Sequence, residues 1–135
     1  MAGATGGIDN WRIFAEGVFL AALTGPKAAE ELASGLREAA SAAAEGGYRR
    51  IIIDLSRVEP DDAAADADHF GSAAASAGQG GAQAAAIYCD VGGAPVAAMV
   101  QALRRAGVAA RAVRRIDEAR AWLAAFDPPA PANDV

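Results

Sequence analysis

The pattern of the chain predicts an α/β fold: a single domain with a mixed, mostly parallel sheet of about five strands and about four helices, its first strand antiparallel and supplied by an N-terminal hairpin. Three observations predict it. Ile51-Ile52-Ile53-Asp54-Leu55 is a β-branched run without polar alternation, as a strand covered on both faces requires. Around it, strand-like runs alternate with helical stripes, and such alternation needs crossover connections that make successive strands parallel. Before it, Trp11–Ala15 and Val18–Leu23 flank Glu16-Gly17, where glycine supplies the positive φ of a two-residue hairpin turn.

Residues 1–9 are glycine-rich and unpatterned, and 127–135, opening Asp127-Pro128-Pro129, are proline-broken. Both read as flexible termini around a domain spanning 10–126. After the hairpin, Thr24-Gly25-Pro26 opens a helix, with proline tolerated in the first turn and Glu30 and Glu31 near the positive end of its dipole. Its stripe of Ala29, Leu32, Leu36 and Ala40 runs until Gly46-Gly47. Following the central strand 51–55, Asp61 and Asp62 start an alanine-rich helix reaching about Ala77. Phe70 is its only large apolar residue, so this is the helix expected to pack most weakly. Ala84–Cys89 is a further strand. Val96, Met99, Val100 and Leu103 mark the next helix, Val108–Val113 the last strand, and Asp117 caps a final helix with Ile116, Ala119 and Leu123 inward.

The composition excludes several classes of function. In 135 residues the formal charge is −5, which disfavours general affinity for nucleic acid. Six of the twelve basic residues (Arg104, Arg105, Arg111, Arg114, Arg115, Arg120) nevertheless gather in the last third. The longest bulky apolar stretch, 18–23, falls far short of the roughly 18 residues of a membrane helix, so no membrane insertion is expected. No leader pattern opens the chain, and the single cysteine, Cys89, has no partner for a disulfide, redox couple or zinc site. A cytoplasmic setting is expected. Close to three residues in ten are alanine, so the 53% hydrophobic content overstates the bulk available to a core.

The frame of Thr24-Gly25-Pro26, helix, Ile51-Ile-Ile-Asp-Leu-Ser-Arg-Val58, small-residue helix, strand, helix, strand and Asp117-Glu-Ala-Arg-Ala-Trp-Leu123 resembles the STAS domain family, in particular its SpoIIAA-like (anti-sigma factor antagonist-like) superfamily. The resemblance covers residues 10–126. It implies a non-enzymatic regulatory module that binds a protein partner, a kinase-like or anti-sigma-like regulator, through the loop and helix 56–70. In regulatory members, the helix after the central strand opens on an Asp-Ser-Ser/Thr-Gly-like segment whose serine is phosphorylated. The matching stretch here, Glu59-Pro-Asp61-Asp62-Ala63-Ala64-Ala65, keeps acid and lacks the hydroxyl, so the serine switch is expected to be missing. The superfamily also includes carriers of apolar or nucleotide ligands, which makes a small-ligand protein the alternative.

Candidate sites follow from where open α/β sheets collect ligands, beyond the carboxyl ends of parallel strands. The partner-binding candidates are Ser56, Arg57, Asp61, Asp62 and Phe70. The ligand-binding candidates are Asp90, Gly92, Gly93, Arg114 and Arg115. Asp90–Pro95 lacks both the G-x-G-x-x-G spacing and a P-loop lysine, which leaves a plain tight turn as its ordinary reading. Asp62, Asp66 and His69 share one helix face, but three ligands from one helix make a poor cage, and no metal or other cofactor is expected. Asp66, His69 and Ser72 cannot easily converge on one substrate atom, so no catalytic residue is assigned. Trp11 and Trp122 read as core anchors, with a homodimer contact through the edge hairpin as the other role open to Trp11.

Overall fold

The computed structural model describes residues 10–15, 17–27, 29–60, 70–89 and 94–126. In chain order the elements are β1 (Asn10–Ile13), β2 (Val18–Lys27), α1 (Ala29–Gly46), β3 (Arg50–Pro60), α2 (Gly71–Gln79), β4 (Ala84–Tyr88), α3 (Ala94–Arg105), β5 (Ala109–Val113) and α4 (Ile116–Ala124). The sheet order is β1-β2-β3-β4-β5, with β1 antiparallel to β2 and the other pairs parallel. This is the expected α/β fold, with five strands and four helices.

Each parallel connection steps to the neighbouring strand in one direction, so right-handed crossovers put α1, α2 and α3 on one face of the sheet. Phe19, Ala21, Leu23, Ile51, Ile53, Ala85 and Ile87 meet Leu32, Leu36, Phe70, Ala74, Met99 and Leu103 there. On the other face Val18, Leu20, Ile52, Ala84, Ala86 and Val113 meet Ala119 and Leu123 of α4. Strand residues alternate between faces, which is why the 51–53 isoleucines are all fully buried although they point to opposite sides. Arg50 ties the two layers together, its Nη1 donating to the Leu123 carbonyl at 3.3 Å.

Several boundaries differ from the sequence reading. Phe14 N–H donates to the Val18 carbonyl and Gly17 N–H to that of Phe14, so the hairpin loop has three residues rather than two, with Gly17 at φ +83°. Thr24-Gly25-Pro26 opens no helix. β2 runs on to Lys27, paired with Arg57–Pro60, and Pro26 is tolerated because β1 pairs with β2 only as far as Ala22. Leu55 and Ser56 stand against the single residue Leu23, a bulge that shifts the register between Ala22 and Thr24. The central strand therefore extends well past Leu55. The helix expected from Asp61 is described only as α2, after a turn at Phe70, and residues 61–69 lie outside the described residues. Arg115, not Asp117, is the N-cap of α4; Asp117 and Glu118 sit in its first turn, where the dipole favours acid.

α2 is not loosely packed. Ala73, Ala74 and Ala77 are buried between α1 and α3, and a Cβ on Gly78 would stand 2.9 Å from the Ala106 carbonyl oxygen. Small residues here are what lets three helices lie side by side over a narrow sheet. Trp11, expected in the core, is 55% exposed, because β1 is a four-residue edge strand that α1, seated over β2 and β3, leaves uncovered. Among the described residues no helix is long and apolar enough to cross a membrane.

Candidate functional site

The carboxyl ends of the parallel strands form one rim. On β3, Asp54 lies beside Ala22 and Tyr88 in register, on the α4 face, and is half-buried. Its Oδ1 accepts from the Ser56 backbone N–H at 2.9 Å and from Ser56 Oγ at 2.6 Å. Aspartate bonding two residues ahead is a local turn-former, and here it holds the chain through the bulge. Ser56 is thus committed to Asp54, and Arg57 beyond it is exposed opposite Thr24.

Beyond the bulge, Thr24–Lys27 and Arg57–Pro60 continue as a two-stranded ribbon, whereas β4 ends at Tyr88 opposite Asp54. The ribbon projects past the rest of the rim and leads toward residues 61–69. At the far end of that segment Phe70 is completely buried in the core shared by α1–α3. Of the partner-binding candidates, Ser56 stands in the bulge and Arg57 at the start of the ribbon, Phe70 is an internal anchor, and Asp61 and Asp62 lie outside the described residues.

The ligand-binding candidates divide in the same way. Asp90, Gly92 and Gly93 lie outside the described residues. Arg114 and Arg115 are exposed where β5 passes into α4, two strand spacings (about 10 Å) from β3 across the rim. The Arg114 N–H donates to Glu118 Oε1 at 3.4 Å, which holds the α4 entry together. Cys89 is half-buried, and its N–H donates to the Val113 carbonyl at 3.0 Å. Among the described residues no three His, Cys, Asp or Glu side chains gather as a metal site.

Two arrangements were missed by the sequence reading. The Asp54–Ser56 pair was legible as an Asp-x-Ser spacing. The α4 face carries arginines stacked on aromatic rings, Arg12 and Arg120 lying 5.0 and 4.2 Å from the Phe14 centroid and Arg111 lying 5.6 Å from that of Trp122. Arg12 and Phe14 are two residues apart along the hairpin, whereas Arg120–Phe14 and Arg111–Trp122 join α4 to the hairpin and to β5, which no sequence spacing announces. No family model, curated protein or solved structure matches the chain.

Proposed function

We propose that the protein is a non-enzymatic interaction module that holds a protein partner through the 56–70 segment, in the manner the STAS and SpoIIAA-like resemblance implies but without that family's serine switch. The observation that carries this reading is the fixing of the segment at both ends. β3 stays paired with β2 as far as Pro60, and Phe70 is wholly buried. Fixed ends set where the segment is presented on the domain, and contacts whose position is set beforehand lose less of their energy to ordering.

The nine residues between those anchors contain Asp61, Asp62, Asp66 and Asp68 and only one residue able to carry positive charge, His69. A basic surface on the partner is the complement. Phe70 contributes from inside, by fixing the start of α2. The setting proposed for this interaction is the cytoplasm, and the partner the resemblance implies is a kinase-like or anti-sigma-like regulator.

Native mass spectrometry of the protein isolated from its own host tests the reading. The wild-type chain is expected to retain a second protein at fixed stoichiometry. The variant carrying Asp61→Asn, Asp62→Asn, Asp66→Asn and Asp68→Asn is expected to lose that protein while keeping its circular dichroism spectrum. A discrete small-molecule adduct retained equally by both, with no protein bound, would overturn the reading in favour of a ligand carrier.

A further inference from the structure

The two large hydrophobic side chains exposed among the described residues, Trp11 at 55% and Ile13 at 43%, both belong to β1, the terminal strand of the sheet. They share a face. Trp11 pairs with Ala21 and Ile13 with Phe19, which lie under α1, and Trp11 stacks on the Phe19 ring at 6.0 Å. Among the described residues their backbone also has an open side. Phe14 N–H bonds to the Val18 carbonyl, so by the alternation of antiparallel ladders Arg12 exchanges hydrogen bonds with β2 while the N–H and C=O groups of Trp11 and Ile13 point away from it. Asn10 Oδ1 accepts the Trp11 N–H at 2.8 Å, a side-chain acceptor standing where a neighbouring strand would place a carbonyl.

The corner between this strand and α1 is acidic. Glu31, Glu38 and Glu45 are exposed and seven residues apart, which aligns them along one line of the helix. The opposite flank of α1 is occupied by α2, where Arg37 Nη2 donates to Ser72 Oγ at 3.4 Å and Ala44 lies against Gly80. The glutamate line therefore follows the β1 side. Glu31 and Glu38 also make contacts of their own within the protein. On the other face of β1, Arg12 lies over Phe14, beside Arg120.

We propose that β1 is a docking edge for an extended segment of another protein, which adds as a sixth strand with arginine or lysine toward Trp11, Ile13 and the α1 glutamates and an acidic side chain toward Arg12. The charges choose this occupant. Long basic side chains lay their stems over exposed aromatic surface and carry their heads onward to carboxylates. An added strand presents its side chains alternately to the two faces, so one acidic residue between two basic ones satisfies both. A second copy of the chain fits worse. Joined β1 to β1, a second copy brings no basic side chain to the α1 glutamates, its own Trp11 and Ile13 falling on that face and its Arg12 on the other, and a four-residue edge buries far less than the roughly 1,200 Å² of a stable interface. This edge is separate from the 56–70 segment.

The test uses the full chain and two labelled peptides, acetyl-Thr-Val-Arg-Glu-Arg-Val-Thr-amide and its charge-reversed counterpart acetyl-Thr-Val-Glu-Arg-Glu-Val-Thr-amide, followed by fluorescence anisotropy. The first peptide is expected to bind at least about tenfold more tightly than the second. Its binding should slow exchange of the Trp11 and Ile13 amide protons and weaken in Trp11→Ser and in Glu38→Lys, while the four-asparagine variant in 61–69 binds as the wild type does. Equal binding of the two peptides, or none by either, would overturn the proposal. A peptide-free dimer in sedimentation that Trp11→Ser dissociates would also overturn it, by making a second copy the occupant.

Discussion

At the scale of single residues, two polar side chains make opposite contributions. Asp54 Oδ1 takes both the backbone and the hydroxyl hydrogen of Ser56, and bonds to a charged acceptor exceed neutral ones in strength. Asp54→Ala is expected to destabilise the fold by about 1–3 kcal/mol in urea titration, and Asp54→Asn, which keeps one oxygen, by less. Gln83 does the reverse, its Oε1 being buried without a hydrogen-bond partner among the described residues. Gln83→Met keeps the shape and removes the orphaned acceptor, so its urea midpoint should rise by the equivalent of up to about 1 kcal/mol. What sequence could say at this scale depended on distance along the chain. The bond from Ser56 to Asp54 spans two residues and is a local pattern, whereas the stacking of Arg120 on Phe14 joins positions far apart in sequence. Exposure failed for Trp11 because its type suggests burial while its place on the outermost strand decides otherwise.

Whole elements were legible where their periodicity was strong. The isoleucine run announced β3 because both faces of that strand are covered, and the Val96, Met99, Val100, Leu103 stripe announced α3 because one face is. The end of β2 was hidden, since Thr24-Gly25-Pro26 reads locally as a helix start and only the ladder to Arg57–Pro60 keeps it extended. α2 shows how alanine misleads. A run of small residues suggests weak packing, yet its burial between two helices depends on their being small. Gly78 makes this testable. In an isolated helix glycine to alanine is worth up to about 1 kcal/mol in favour of the helix, but here the new methyl meets the backbone oxygen of Ala106, which cannot rotate away. Gly78→Ala is therefore expected to lower stability by about 1–3 kcal/mol, read as a lower melting temperature in calorimetry. Of the candidate rim, Ser56, Arg57, Arg114 and Arg115 fall on one end of the sheet as the strand–helix alternation required, because parallel strands all deliver their carboxyl ends to the same side.

For the molecule as a whole, the order of strands in space equals their order in sequence. Contacts between neighbouring strands are thus made between segments close in the chain, a topology that shortens the loops to be closed and favours rapid folding. It also sets a timetable during synthesis. Each strand is synthesised after the one it pairs with, and α1, α2 and α3, which cover one face, all precede β5. The other face waits. Leu20, Ile52, Ala86 and Val113 are covered by α4, the last of the described elements, so a chain lacking α4 would leave that side of the sheet open to water. A chain ended at Arg115 should bind the dye ANS and sediment as aggregate, while the full chain does neither. The nine-residue α4 is thus what covers one whole face of the sheet among the described residues, and a product cut before it shows the apolar surface that helix would have hidden.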